Sequence, residues 1–561
     1  MVTASGRRTA SGRPHGLGTA GSIGPVSDPR AFLALDLGAA TTSAALIARV
    51  RHRWRLIGSL AMPSSIEAEA VVGLLLDRSS RADPELAGTL GFAGRDAARK
   101  LPRLIARSAP PQRLVAVAGS DRAVRPLAEA ARRTGWRVTG LSPDSSDPLA
   151  MTTAILDPSV DAVLLGAGEP PGPDERRSIE DVAALVAAAA LRRPELTVLL
   201  AGPMSDQLPR FETTNGDRQG EVLLAPAATA GDPPGFPLRE LLDDVRAPRD
   251  DARRAIARAA AALADTLDRR VEVVDIGFEG GMRAVASPGS SGSPAVAESA
   301  LIADACLVPP NPGDDAVDRV LPWSTIPIDR HRLRDRLREL RYAPWSDAAG
   351  DGARLRLSAA RAALATLVAA TPDLSAGPPP DLLVASGGAW AVAPGPAIAL
   401  AIADVIRRPA AISIAYDHAR LLGPAGSIPD AGERRQLLGD IADDLLSPLA
   451  SVVIPGGIRA GRSAGTVTVH AEAGTSQLNL VPGGLELVDL PPGEHATAEL
   501  QFRDTVRLGG RGRKFAVEVT GGLGGLLLDL RDVPLRLPDR PERRRELLEA
   551  WEESLWVTRD R

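Results

Sequence analysis

The sequence predicts an α/β protein of several domains that ends in an all-β module. Three observations carry this expectation. Short apolar runs end in Asp-x-Gly at Asp36 and Asp275, and a third runs into Ser386-Gly387-Gly388. Strand and helix patterns alternate between them, as βαβ units and a parallel sheet require. After Ser451 the texture changes to short runs separated by Gly and Pro, which reads as a small barrel or sandwich. At ~150 residues per domain, 561 residues allow three or four domains.

Residues 1–30 are rich in Gly, Ser, Thr and Arg and read as a disordered tail. Arg7-Arg8 lacks the apolar stretch that a twin-arginine signal needs. Ala31–Asp36, Ala44–Val50 and Trp54–Met62 are strands of a meander that opens a first lobe over residues 31–112. Strands Leu114–Ala118, Trp136–Thr139, Ala162–Leu165 and Thr197–Leu200 form an inserted α/β subdomain over 113–245, with helices Ala123–Arg133 and Ser178–Leu191. Ser178 and Asp181 stand at capping-box spacing. A second lobe over 246–450 holds helices Ala252–Leu267, Arg332–Arg341, Ala359–Ala370 and Ala397–Ile406. Its strands are Val271–Asp275, Leu382–Ala385 and Ala411–Ala415. The β-rich module over 451–540 carries strands Val467–Ala471, Leu485–Leu490, Thr497–Phe502, Lys514–Val519 and Leu526–Leu530. Residues 541–561 form a C-terminal helix whose stripe of Leu547, Leu548, Trp551 and Leu555 packs on the body.

Composition excludes several functions. Lys and Arg total 66 against 70 Asp and Glu, a net charge of −4, which argues against gripping nucleic acid by bulk charge. Cys306 is the only cysteine, so no intrachain disulfide or Cys-based metal site can form, and it reads as a small buried apolar residue. No apolar run approaches the ~20 residues of a bilayer span, and a cytoplasmic location is expected. The histidines lack H-x-x-x-H pairing, and Asp417-His418 reads as a strand-end turn. The loop Gly166–Gly172 does not read as a dinucleotide site, because Pro170, Pro171 and Pro173 delay the next helix to about Ser178.

The chemistry lies in the glycine turns. Asp36-Leu37-Gly38-Ala39-Ala40-Thr41-Thr42 combines a strand-terminal acid, a glycine that lets backbone amides approach a phosphate, and hydroxyls beyond it. Such a carboxylate holds Mg²⁺ through water. With Asp275-Ile276-Gly277 and Ser386-Gly387-Gly388, this ordered set resembles the actin-like ATPase superfamily of actin, heat-shock ATPases and sugar kinases. The resemblance implies a two-lobed, ribonuclease H-like fold with two Asp-Gly hairpins facing across a cleft. It assigns Asp36, Gly38, Thr41 and Thr42 to a first phosphate motif, Asp275 and Gly277 to a second, and Gly387 and Gly388 to an adenosine motif. ATP or ADP would be the ligand, with Mg²⁺ held by Asp36 and Asp275.

Within the superfamily the chain is most similar to the glutamate mutase accessory proteins called MutL or GlmL. The similarity runs in order through ALDLGAATTSAALI, Leu114–Arg133, Asp161–Gly168, Leu196–Pro203, VEVVDIG, LLVASGGAW, Leu485–Gly493 and Gly521–Pro534. It implies an accessory, reactivating protein whose partners are subunits of an adenosylcobalamin-dependent mutase. There are departures. Phe278-Glu279-Gly280-Gly281-Met282 stands where the family has Gly-Ala-Thr-Thr-Asp, Ser43 where a lysine is common, and Ala39 where a hydroxyl residue is usual. Hydrolysis is therefore expected to be weak or absent. The rival readings are a pseudo-ATPase scaffold and a small-molecule kinase of the sugar-kinase branch, for which Glu279 is the available acid.

Overall fold

The structure, a computed structural model, describes residues 30–93, 97–167, 172–212, 220–247, 251–290, 293–346, 348–459 and 463–555. Apart from Arg30, the expected tail lies outside the described residues, and so do Gly168–Pro171 and Trp556.

In the first lobe β1 (Ala31–Leu37), β2 (Thr41–Val50) and β3 (Arg53–Pro63) form an antiparallel meander. β4 (Arg103–Arg107) lies parallel to β1, giving the order β3-β2-β1-β4. Both faces of β1 are buried, so it reads as a continuous apolar run. Leu33 and Leu35 pack with Val71, Val72 and Leu75 of the helix Ala68–Ala82. Phe32 and Ala34 pack with Ile256, Ala259 and Leu263 of the helix Ala252–Leu267. This second core continues into Val271, Val273 and Val384 of the other lobe, so the two lobes share apolar packing at the base of the cleft.

After β4 comes the insertion. β5 (Arg113–Ala118), β6 (Arg137–Leu141), β7 (Ala162–Gly166), β8 (Thr197–Ala201) and β9 (Val222–Ala225) are all parallel. Their order β6-β5-β7-β8-β9 is doubly wound, with the helices Asp121–Arg132 and Pro173–Arg192 in the cores on opposite faces. The second helix corrects the sequence reading. It starts at Pro173, not Ser178, because proline at the first helical position loses no hydrogen bond and its φ already suits the helix. Ser178 sits inside the helix and donates to the Gly119 carbonyl at 2.9 Å, so it forms no capping box.

The second lobe repeats the first. β10 (Val271–Ile276), β11 (Gly281–Ala286) and β12 (Ala297–Ile302) are an antiparallel meander, and β13 (Leu382–Ser386) and β14 (Ala410–Asp417) run parallel to β10. The order β12-β11-β10-β13 matches β3-β2-β1-β4, and β14 adds a strand. The chain thus has the two-lobed actin-like α/β fold, with an inserted α/β subdomain and a C-terminal β module.

That module grows out of the second lobe. β15 (Leu446–Ile454) pairs with β14 and straddles the expected boundary at 450. β16 (Gly465–Ala471), β17 (Gly474–Leu480), β19 (His495–Leu508) and β20 (Gly510–Thr520) form a separate antiparallel sheet. β18 (Leu485–Val488) and β21 (Leu526–Asp529) continue the lobe's own sheet beyond β15. The two sheets share one core through Val453, Val467, Leu500 and Leu528, a sandwich. Leu548, Trp551 and Leu555 of the closing helix Pro541–Ser554 and its end are buried against the second lobe. Among the described residues no helix is long and apolar enough to cross a membrane.

Candidate functional site: a cleft between two hairpins

The turns after β1, β10 and β13 converge on one cleft of about 970 Å³, part of it open solvent. Asp36, Gly38, Thr41, Asp275, Gly277, Gly387 and Gly388 all line it. Thr42 does not. It is buried next to Thr41 on β2, and strand alternation turns successive side chains to opposite faces.

The two hairpins share one turn. Gly38 N–H donates to the Thr41 carbonyl and Gly277 N–H to the Gly280 carbonyl, each at 2.9 Å. A Cβ on either glycine would stand 3.0 and 3.1 Å from those same carbonyl oxygens. The third turn needs glycine outright. Gly387 has φ +94°, and a Cβ there would lie 2.4 Å from the Ile276 carbonyl oxygen. A Cβ on Gly388 would meet only side chains, Arg420 Nη2 at 3.3 Å and Thr41 Oγ1 at 3.5 Å. Thr41 of the first motif therefore faces the Gly-Gly turn across the cleft.

Three carboxylates gather beneath these turns. Burial pushes Asp36 up to about 7, opposed by Arg420 and reinforced by Asp275 and Asp417. Burial holds Asp275 and Asp417 at about 6, with the Ser386 hydroxyl and Arg420 opposing it in both. Asp417 is fully buried, accepts from the N–H groups of Leu421 and Leu422 at 2.9 and 3.1 Å, and from Ser386 Oγ at 3.3 Å. It is the strand-end turn read from the sequence, and its charge also acts on the cleft acids. Among the described residues no group of three or more His, Cys, Asp or Glu side chains is placed to hold a metal ion by itself.

Sequence reasoning missed the cleft's arginines. Arg420 is buried and lines the cleft with a left-handed backbone, φ +55°. Arg356 reaches the Gly388 carbonyl at 3.5 Å from the helix Gly350–Ala369. Neither carries a local signal. Asp417 does carry one, since it closes an apolar strand as Asp36 and Asp275 do.

Glu279 is not a free acid. It pairs with Arg137 of β6 at 3.3 Å and with Arg341 of the helix Arg330–Tyr342 at 2.6 Å. The Arg341 guanidinium also lies over the Phe278 ring, 4.5 Å from its centroid. The first hairpin's tip is held from the opposite lobe, where Trp345 Nε1 donates to the Ala40 carbonyl at 2.9 Å. Burial raises the Cys306 thiol to about 11, which suits a packed residue rather than a nucleophile.

No model of a known protein family matches the chain, and no curated protein matches it in sequence. Solved structures that match include nucleotide-free ATP-dependent acetone carboxylase, at 10% identity over 71% of this chain and 69% of that one, TM-score 0.28. The ethanolamine utilization protein EutJ of Carboxydothermus hydrogenoformans is 12% identical over 72% of this chain and 90% of that one, TM-score 0.24. The Ppx/GppA phosphatase of Aquifex aeolicus is 8% identical over 73% and 91%, TM-score 0.19. The fold assignment rests on the chain's own duplicated strand order.

Proposed function

We propose that the cleft binds ATP or ADP with Mg²⁺, and that the chain is an accessory, reactivating protein for an adenosylcobalamin-dependent mutase. The observation that carries the nucleotide reading is the convergence of three glycine turns on one cleft floored by Asp36 and Asp275. Mg²⁺ suits this floor. The charge of Asp275 raises Asp36, with Arg420 opposing it, and Mg²⁺ typically takes one or two carboxylates plus phosphate oxygens and water. Asp36 and Asp275 would hold it, and it would neutralise phosphate charge. Nucleotide bridging the lobes would favour the closed state through its differential affinity for that state.

Hydrolysis is weak or lost in this reading. Phosphoryl transfer depends on positioning and charge, and Gly280, Gly281 and Met282 supply no hydroxyl or acid. The kinase reading loses its support because Glu279 is committed to Arg137 and Arg341. The mutase client is supported by the sequence resemblance, and by an insertion and a β module that carry no phosphate motif. Calorimetric titration with ATP and Mg²⁺ tests the first half. Absence of binding at millimolar nucleotide would favour the scaffold reading. Affinity capture from native cell extract tests the second, and a full-length bait that enriches no mutase subunit removes the client.

A further inference from the structure

The β module separates its exposed charge. Glu472, Glu499 and Glu518 stand toward one end of the sheet β17-β16-β19-β20. The other end is the hairpin that joins β19 to β20, where residues 501–514 hold Arg503, Arg507, Arg511, Arg513 and Lys514 against the single acid Asp504. All five cations are exposed, and among the described residues none of them makes a salt bridge or a side-chain hydrogen bond. At the module's seam with the second lobe the arginines are paired instead, Arg407 and Arg531 with Asp529, and Arg531 also with Asp404. The hairpin is firmly held. Arg507 exchanges two backbone hydrogen bonds with Gly456, at 2.8 and 2.9 Å, and Gly509 N–H donates to the Pro409 carbonyl at 3.0 Å. Val506 and Leu508 are buried, so strand alternation turns Arg507 outward, and Arg511 stands directly opposite it in register. Like charges opposed across a ladder destabilise it, so this pair costs the isolated chain stability.

We infer that the β19–β20 hairpin is a docking surface for an acidic segment of a protein partner, whose carboxylates neutralise Arg507, Arg511 and their neighbours. This goes beyond the client reading, because it names a surface and its chemistry and holds for any protein partner. Four of the five cations are arginines, whose planar fork takes a carboxylate through two bonds. Three features favour a protein over other polyanions. The chain as a whole carries a net charge of −4, so its field does not attract an extended phosphate backbone beyond the hairpin. The nearby ring of Phe515 packs edge-on against Phe502, centroids 6.1 Å apart, and offers no stacking platform for bases. Val506 and Leu508 are buried, so they do not give the hairpin an apolar tip to enter a membrane. Charge also keeps an outermost strand from pairing with other edges, and β20 is outermost in its sheet. That role is served by charge of either sign, whereas docking needs positive charge.

The test is titration of the full chain with an oligoglutamate peptide, a DNA duplex and phosphatidylserine vesicles, all at the same ionic strength. Two double variants with the same change in net charge are compared. Arg507→Glu with Arg511→Glu reverses the hairpin pair. Arg332→Glu with Arg338→Glu reverses two exposed arginines on the helix Arg330–Tyr342. The expected result is saturable binding of oligoglutamate, weakened about tenfold or more by the hairpin reversal and changed less than about twofold by the other. Arg511→Gln removes the opposed charge alone, so it should weaken oligoglutamate binding while raising the melting temperature, and it remains informative if the double reversal folds poorly. Failure of oligoglutamate to bind the wild type, equal weakening by the two reversals, or preference for DNA or vesicles would each overturn the docking surface. So would a melting temperature lowered by Arg511→Gln, which would show that the arginine serves the fold. Failure to capture a mutase would touch only the client reading.

Discussion

The hairpins that face each other across the cleft have the same backbone and different side chains. Asp36 pairs in register with Ser43 and Asp275 with Met282, so Thr41, Thr42 and Ser43 correspond to Gly280, Gly281 and Met282. The turn itself asks only for a glycine and a register. In the nucleotide reading a hydroxyl beyond it serves the ligand. The first hairpin has both and the second has only the turn. The second is fixed by charge instead. Glu279 is clamped at its tip, and Arg283 is buried behind it against Glu272 at 2.7 Å. The corresponding positions of the first lobe are the apolar Ala44 and Leu33.

Breaking that ion pair should have the largest effect. Arg283 Nη1 also donates to Ser375 Oγ at 2.8 Å and to the Thr371 carbonyl at 3.1 Å, so the guanidinium is locked in place. Glu272→Ala should destabilise the fold by about 3–5 kcal/mol in urea unfolding, because an uncompensated charge stays buried. Glu272→Leu with Arg283→Ala, which imitates the first lobe, should be much milder. A single variant within about 1 kcal/mol of the wild type would show that charge does not fix this hairpin.

Next comes the third turn, which both hairpins face. Gly387→Ala strains a left-handed residue and drives a Cβ into the Ile276 carbonyl, so about 2–3 kcal/mol of stability should be lost. Gly388→Ala meets only the ends of Arg420 and Thr41 and should leave the fold within about 1 kcal/mol of the wild type. In the nucleotide reading it should still weaken ADP binding. Equal thermal shifts with ADP in Gly388→Ala and wild type would remove the adenosine role.

The acids give a pH signature of intermediate size. Asp36 is held at about 7 in the folded chain against an ordinary value of 3.8. The unfolded chain loses this proton first, so folding stability should fall as pH rises through the window from about 4 to 7. Asp36→Asn should leave stability unchanged near pH 4 and raise it by about 1–2 kcal/mol at pH 8, less than the isolated shift because Asp275 and Asp417 titrate with it. A melting temperature lowered by the substitution at pH 8 would contradict the crowding of charge.

Much of the fold was legible because its signals are local. The helix Ala252–Leu267 matches its sequence reading at both ends, and β10 and β13 match to within a residue or two. β11 was not read. All six of its residues are buried, yet it opens on glycine and carries Arg283, whose partner stands on the neighbouring strand. A sequence window cannot show that a charge is paired across a sheet. The cleft divides the same way. Glycine turns after apolar strands announce themselves, whereas Arg356 and Arg420 arrive from segments far apart in the chain. Thr42 shows the limit of a motif read as a unit, since alternation sends it away from the cleft that Thr41 lines.

The smallest effect is the sharpest test of the comparison, because it tries to give the second hairpin what the first has. Gly281 cannot accept a side chain, since its Cβ would lie 2.6 Å from the Ala305 carbonyl. Gly280 can. A Cβ there would stand 3.3 Å from the Ile302 carbonyl and 3.5 Å from Ala303 Cα, a tight but passable fit. It is also the position that corresponds to Thr41. Gly280→Ser therefore places a hydroxyl across the cleft from the existing one at little structural cost. A net hydrogen bond is worth about 0.5–1.5 kcal/mol, so ADP affinity should rise about two- to tenfold in calorimetric titration. Thr41→Val should lower it by a similar factor. If Thr41→Val weakens ADP and Gly280→Ser does nothing, the nucleotide is seated on the first hairpin alone. If neither changes affinity, the hydroxyls of the first hairpin do not touch phosphate, and the difference between the hairpins has no bearing on a nucleotide.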